Sequence, residues 1–195
     1  MKTMDGRGAL MDQLRTFTPC NAQEEMDRAL ILDQLERVPD IFSRENRLAH
    51  MTASAWVLSP SRDRVLMAYH NIYNSWSWLG GHADGEIDLL AVALREVQEE
   101  SGIATVRAIS PLPISVESLT VDGHVKRGQY VSSHLHLNVT YLLEADDRGA
   151  LHAKPDENSA VGWFAPDDAV AASTEPWFRE HIYSKLNEKV RRMKL

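Results

Sequence analysis

The sequence predicts an α+β protein in which helices flank a mixed β-sheet, preceded by an N-terminal helical extension over residues 1–45. Runs of β-branched and aromatic residues punctuated by turn formers fill the middle of the chain. One acid-rich amphipathic helix interrupts them, and charged amphipathic segments stand towards both ends. A length of 195 residues, 44% hydrophobic and 25% charged, suits one well-filled core plus an appendage.

Asn21 is placed to cap an amphipathic helix over residues 22–35, with Met26, Ala29, Leu30 and Leu35 as its apolar side chains. That helix packs on the domain or on a partner subunit, as in a homodimer. Pro39 ends it, residues 40–46 form a connector, and the main domain is expected over 46–195. Residues 52–58 and 65–70 read as a hairpin around Ser59-Pro60-Ser61-Arg62-Asp63. A loop over 71–78 leads to a turn at Gly80-Gly81, and an acidic helix closed by Gly102 follows. Residues 104–109 and 114–121 read as strands interrupted by Pro111 and Pro113. Residues 123–128 make a polar, basic loop and 130–143 a long strand. A second loop over 145–158, a short strand over 160–164 and a helix over 176–194 complete the pattern.

The acidic helix carries the strongest functional signal. At about 100° per residue, Glu96, Glu99 and Glu100 share one side, while Leu90, Ala93, Leu94 and Val97 form a neighbouring apolar stripe. Like charges at these spacings repel by about a few tenths of a kcal/mol per pair. A hard divalent cation such as Mg²⁺ removes the conflict, since it takes several carboxylate oxygens and lets phosphate oxygens complete its shell. Arg95, four residues before Glu99, is the competing sign of an ordinary salt-bridged surface. Glycines at 80, 81 and 85, where backbone must come close, favour a metal and phosphate site.

These residues resemble the Nudix box of the Nudix hydrolases, G-x5-E-x7-R-E-U-x-E-E-x-G-U, where U is aliphatic. Gly81 lies fourteen residues before Arg95, and Arg95, Glu96, Val97, Glu99, Glu100, Gly102 and Ile103 fill the second half in order. The first acid is displaced: its position is Ile87, flanked by Glu86 and Asp88, either of which stands in to hold the loop against the helix arginine. Trp78-Leu79-Gly80-Gly81 and the downstream Trp163-Phe164 with Asp167-Asp168 also look like the family, although Leu79 replaces the usual proline. The resemblance implies an α/β/α sandwich and metal-dependent cleavage of a phosphoanhydride bond in a nucleoside diphosphate linked to another moiety. It assigns Glu96, Glu99 and Glu100 as ligands of Mg²⁺, or of Mn²⁺ in its place, with the carbonyl of Gly80 or Gly81 as a further contact. Arg95 orients those carboxylates, Glu96 or Glu100 also stands near the attacking water, and Glu157 or Glu117 is the general base. A ligand sensor built on the same fold is the main alternative. An isoprenoid-diphosphate isomerase is another, but it would want a cysteine inside the domain, and Cys20 lies in the extension.

A formal charge of -7 without a basic stripe argues against nucleic acid as a partner. One cysteine excludes an intrachain disulfide, the N-terminus lacks a signal-like apolar core, and no apolar run spans a bilayer, so a soluble cytoplasmic protein is expected. His82, directly after Gly81, is placed to hydrogen-bond a phosphate. Lys126 and Arg127 either steer an anionic substrate or belong to a solvated loop. His134 and His136 share a strand face and, with His82 and His70, outline a zinc site, against which stands the ordinary hydrogen-bonding role of strand histidines. Tyr73, Trp76 and Trp78 stack on a base or simply pack.

Overall fold

The computed structural model describes residues 6–126 and 128–193. Arg127 and the side chain of Lys126 lie outside the described residues, as do 1–5 and 194–195, which include the expected end of the last helix. The chain begins with helices α1 (Gly6–Thr16) and α2 (Ala22–Arg37), followed by strands β1 (Ala49–Leu58), β2 (Val65–His70), β3 (Ser75–Ser77) and β4 (Leu79–His82). Helix α3 (Leu89–Ser101) precedes strands β5 (Val106–Ala108), β6 (Ser115–Val121), β7 (His124–Lys126), β8 (Gln129–Val131), β9 (His134–Ala145) and β10 (Asn158–Phe164). Helix α4 (Pro166–Ala172), a π-helical stretch (Phe178–Tyr183) and helix α5 (Ser184–Arg192) complete the described chain.

The sheet is mixed because its two central strands run parallel: β1 pairs with β9 from Ala49 opposite Leu135 to Leu58 opposite Glu144. On its other side β1 pairs antiparallel with β2 and β4. β10 and β3 extend the sheet beyond β2, and β5 and β6 lie along the far side of β9. Period-two alternation divides the core. Ala53, Ala55, Val57, Val139 and Tyr141 meet Val92, Ala93 and Val97 of α3. On the opposite face Trp56, Leu58 and Leu142 meet Ile182, Tyr183 and Leu186, with the Trp56 and Tyr183 rings stacked at 5.5 Å. Helices therefore cover both faces, the α/β/α sandwich that the sequence predicts.

Several local expectations are corrected. Gly80 and Gly81 are not in a turn but in strand β4, opposite Ser54 and Ala53 of β1. A short strand, β3, lies within the expected loop 71–78, and β7 and β8 form a hairpin where a loop and the start of a long strand were expected. Helices α1 and α4 were not foreseen, and the C-terminal helix is divided by its π-helical stretch. In α2 the buried face is rotated: Met26 is 68% exposed and Leu30 37%, whereas Ile31, Leu35 and the charged Glu24 are buried. A carboxylate is tolerated there because its counter-ions come from α5.

Glu24 accepts hydrogen bonds from Lys189 Nζ (2.5 Å), Ser115 Oγ (2.7 Å) and the Cys20 amide (2.8 Å), and Lys185 Nζ lies 3.4 Å away. Lys185 also bonds Glu117 (3.1 Å), whose other oxygen accepts from Asn138 (2.9 Å) and Thr140 (2.8 Å). Thr52 and Ser54 then donate to Asn138 Oδ1 at 3.0 and 2.9 Å. One buried network thus runs from the first helices through β6 and β9 to β1. Burial works against the Glu24 carboxylate, but Lys185 and the hydrogen bonds outweigh it and bring its pKa down to about 2 from 4.5. A depressed folded value means that this stabilisation is complete above pH 4.5 and is lost as pH falls from there towards 2. Glu24→Gln is expected to cost about 3 kcal/mol in denaturant unfolding at pH 7, the lower end for breaking a buried pair because Glu117 still faces Lys185. The variant's acid limb should also be shallower than the parent's; equal stability at pH 7 would show that the network does not brace the fold.

Candidate active site

Helix α3 starts at a side-chain cap and stops at a glycine. Asp88 Oδ1 accepts the Leu90 and Ala91 amides at 3.1 Å, and the Gly102 amide bonds the Gln98 carbonyl in a left-handed cap with φ 72°. Glu86 Oε1 accepts the Ile87 and Asp88 amides at 2.8 and 3.0 Å. The two acids around the displaced position thus divide the work, one capping the helix and the other closing the turn before it. Arg95 lies 3.3 Å from Glu96 and 3.8 Å from Glu99, so its guanidinium spans two of the three helix acids.

The three carboxylates sit at different depths. Glu100 is buried, and its Oε2 accepts the Gly80 amide at 3.2 Å. Burial, reinforced by the charge of Glu96, pushes its pKa up to about 8. Glu96 is half-buried and also raised, by burial first and then by Glu99. Its carboxyl lies directly over Gly81, where a Cβ would stand 2.5 Å from Cδ. Glu99 is exposed and meets Lys154 Nζ at 3.4 Å, while the same ammonium holds Glu157 at 2.9 Å. Burial alone would lower the Lys154 pKa, but the hydrogen bond and charge of Glu157, with Glu99 and Glu96, raise it.

These groups line a cleft of about 1380 Å³, larger than most small-ligand pockets. Its floor is the polar half of one sheet face: His50, Thr52 and Ser54 of β1 stand beside His136 and Asn138 of β9, with Gly80 and His82 of β4 alongside. Further along the same face the residues become apolar and the C-terminal helices cover them. Arg44, which pairs with Asp84, Arg47 and Lys154 supply positive charge, and Tyr73, Trp78, Tyr130 and Phe178 supply aromatic wall.

Of the residues singled out from sequence, Arg95, Glu96, Glu99, Glu100, Gly80, Gly81, His82 and Glu157 come together here. Glu117 is fully buried in the network described above. His70 lines the same cleft but is not one of the three histidines grouped on its floor; it packs on Tyr73 at 4.5 Å and accepts the Ile72 amide. Trp76 is a packing residue, edge-on to Phe164 at 4.7 Å and to Tyr69 at 5.6 Å. Arg44, Arg47, His50 and Lys154 were not anticipated. The signal for His50 exists, since the parallel register sets it opposite His136, but it is visible only once β1 is known to pair with β9.

A family model, the NUDIX domain, matches residues 48–186. The chain belongs to the NUDIX family. Among solved structures it is similar to a NUDIX-family hydrolase from Clostridium perfringens, with TM-score 0.55 and 20% identity over 76% of this chain and 99% of that one. It is also similar to the E. coli dihydroneopterin triphosphate pyrophosphohydrolase, with TM-score 0.54 and 16% identity over 73% and 95%. A C. elegans Ap4A hydrolase gives TM-score 0.50 and 15% identity over 74% and 97%. At such identities the likeness is one of fold. Comparison with curated proteins gives no match.

Gly81→Ala is expected to leave the melting temperature nearly unchanged, because the Glu96 carboxyl it would meet is the far end of a flexible side chain and can swing away, yet to lower turnover by about 100-fold through that displacement. Parental turnover in the variant would show that the position of Glu96 is not critical. The raised pKa of Glu100 means that the carboxylate costs stability in the metal-free protein as pH rises from 4.5 through about 8. A cation held by Glu100 would favour the same carboxylate, and apparent Mn²⁺ affinity would then rise with pH up to about 8 and level off. Calorimetric titration across that range checks this, and Glu100→Gln should flatten the slope.

Proposed function

We propose that the protein hydrolyses a phosphoanhydride bond in a nucleoside diphosphate linked to another moiety, using Mg²⁺ or Mn²⁺. The observation that carries this reading is the gathering of Glu96, Glu99 and Glu100 at the side of a cleft with room for both halves of such a substrate. The donor set fits a hard cation: it is all oxygen, and the deeply placed Glu100 would have its charge secured by one. The neighbours named for Ap4A and for dihydroneopterin triphosphate support a phosphate-chain substrate.

Glu96, Glu99 and Glu100 would hold the ion, with the Gly80 carbonyl as a further contact. Bound there, Mg²⁺ supplies neutralisation of the diphosphate and acidification of the attacking water. Arg95 fixes the carboxylates of Glu96 and Glu99. Arg44, Arg47 and Lys154 answer the remaining phosphate charge, and Trp78 or Tyr73 offers a face for stacking. Glu157, on the cleft wall and held by Lys154, is the proposed base that takes the proton from water. The domain carrying this chemistry is taken as 46–195, with residues 1–45 as the helical extension braced against it.

The sensor reading is disfavoured by the presence of all three helix acids. The isomerase reading is disfavoured by Cys20, which lies among Phe17, Pro113 and Lys189 and not in the cleft. No helix among the described residues is long and apolar enough to cross a membrane, which suits the cytoplasmic location we propose.

Purified protein incubated with Mg²⁺ or Mn²⁺ and a panel of nucleoside triphosphates, nucleotide sugars, ADP-ribose, NADH and diadenosine polyphosphates should release phosphate products from one class. Glu99→Gln and Glu100→Gln should each lower turnover by about two orders of magnitude while preserving the fold. Retained activity in both variants would sink the metal assignment.

A further inference from the structure

The floor of the cleft holds a group of side chains that phosphoanhydride hydrolysis does not call for. His50 of β1, His82 of β4 and His136 of β9 each present a ring nitrogen, and these atoms lie within 4.8 Å of one another. His50–His82, His50–His136 and His82–His136 ring centres are 5.1, 5.0 and 4.9 Å apart. Imidazoles that share a tetrahedral ion at a metal–nitrogen distance of about 2 Å have ring centres about 5 Å apart, so the rings already stand at coordination spacing.

The hydrogen bonds fix which nitrogens carry lone pairs. His50 Nδ1 is 3.0 Å from the Asn46 carbonyl oxygen, which can only accept, so Nδ1 holds the proton and Nε2 the lone pair. That Nε2 is buried without a hydrogen-bond partner, in a residue only 3% exposed. An orphaned acceptor of this kind has lost its hydration with nothing in return unless something binds it. His134 Nδ1 likewise donates to the Ser132 carbonyl at 2.9 Å, which leaves its Nε2 to accept from His136 Nε2 at 3.2 Å. In the tautomer that donates from Nε2, His136 keeps its lone pair on Nδ1. Ligating histidines commonly give their second ring N–H to an outer partner in this way, which sets the tautomer and strengthens the ligand.

We infer that His50, His82 and His136 bind one divalent transition-metal ion of the Zn²⁺ class, at a centre separate from the carboxylate site. Three imidazoles select Zn²⁺ and its borderline-soft relatives, whereas the oxygen set on α3 selects Mg²⁺ or Mn²⁺. All three ligands line the cleft, so the fourth position opens to solvent or to an anionic group of a bound molecule. His134 is a positioning residue that acts through His136. The inference stands whether or not the hydrolytic reading above holds.

Metal-stripped full-length protein titrated with Co²⁺ should take up one equivalent with the intense visible bands of a tetrahedral ion, and Zn²⁺ should displace it. Those bands should survive Glu99→Gln, which touches only the carboxylate site. His50→Gln and His136→Gln should each weaken binding by about 100-fold or more, and His134→Gln by about tenfold, as expected for an outer partner. X-ray absorption on the Zn²⁺-loaded parent protein, which needs no variant to fold, should count at least three imidazoles. Fewer than three imidazoles, weak octahedral bands alone, or tetrahedral bands that persist in both ligand variants would overturn the assignment.

Discussion

Strand β4 meets helix α3 and strand β1 at two glycines, and the close approach that they allow organises the site. A Cβ at Gly81 would collide with the Glu96 carboxyl, and one at Gly80 would collide with the Ala53 carbonyl and Ser54 across the sheet. The first glycine therefore lets helix meet strand, and the second lets strand meet strand. Close approach brings the Gly80 amide within reach of Glu100 and keeps that carboxyl in low-dielectric surroundings, the cause of its raised pKa. A side chain at Gly81 would displace the Glu96 carboxyl, and one at Gly80 would force β4 away from β1.

The parallel pairing of β1 with β9 supplies the other half of the design. In register, the alternate residues of both strands project to one face and change from polar to apolar along its length: His50, Thr52, Ser54, then Trp56 and Leu58 on one strand; His136, Asn138, Thr140, then Leu142 on the other. The apolar end is sealed by Tyr183 and Leu186, and the polar end is left as the floor of the cleft. One strand face thus builds both core and the floor of the cleft.

How much of this can be read in the sequence follows from the range of the interactions. Helix α3, its Gly102 cap, the β1–β2 hairpin and the start of α2 at Asn21 rest on signals within a few residues, and sequence reasoning finds them. The same reasoning takes Gly80-Gly81 for a turn because glycine freedom and glycine clearance look alike until the neighbouring strand is known. It misplaces the buried face of α2 because Glu24 is inside, a choice that makes sense only beside Lys185 and Lys189. His50 and Lys154 escape notice for a similar reason: each is ordinary in its local context and joins its group only through tertiary contact.

The Glu24 network spans 165 residues of chain between Glu24 and Lys189. During synthesis the first helices leave the ribosome long before α5 is made, so in any early compact state Glu24 must stay hydrated or protonated. The apolar stripe of Ile31 and Leu35 cannot settle fully while the carboxylate beside it lacks its ammonium partners. Completion of the N-terminal layer is thereby tied to the arrival of α5, since the charge of Glu24 is answered only when those distant parts of the polypeptide meet.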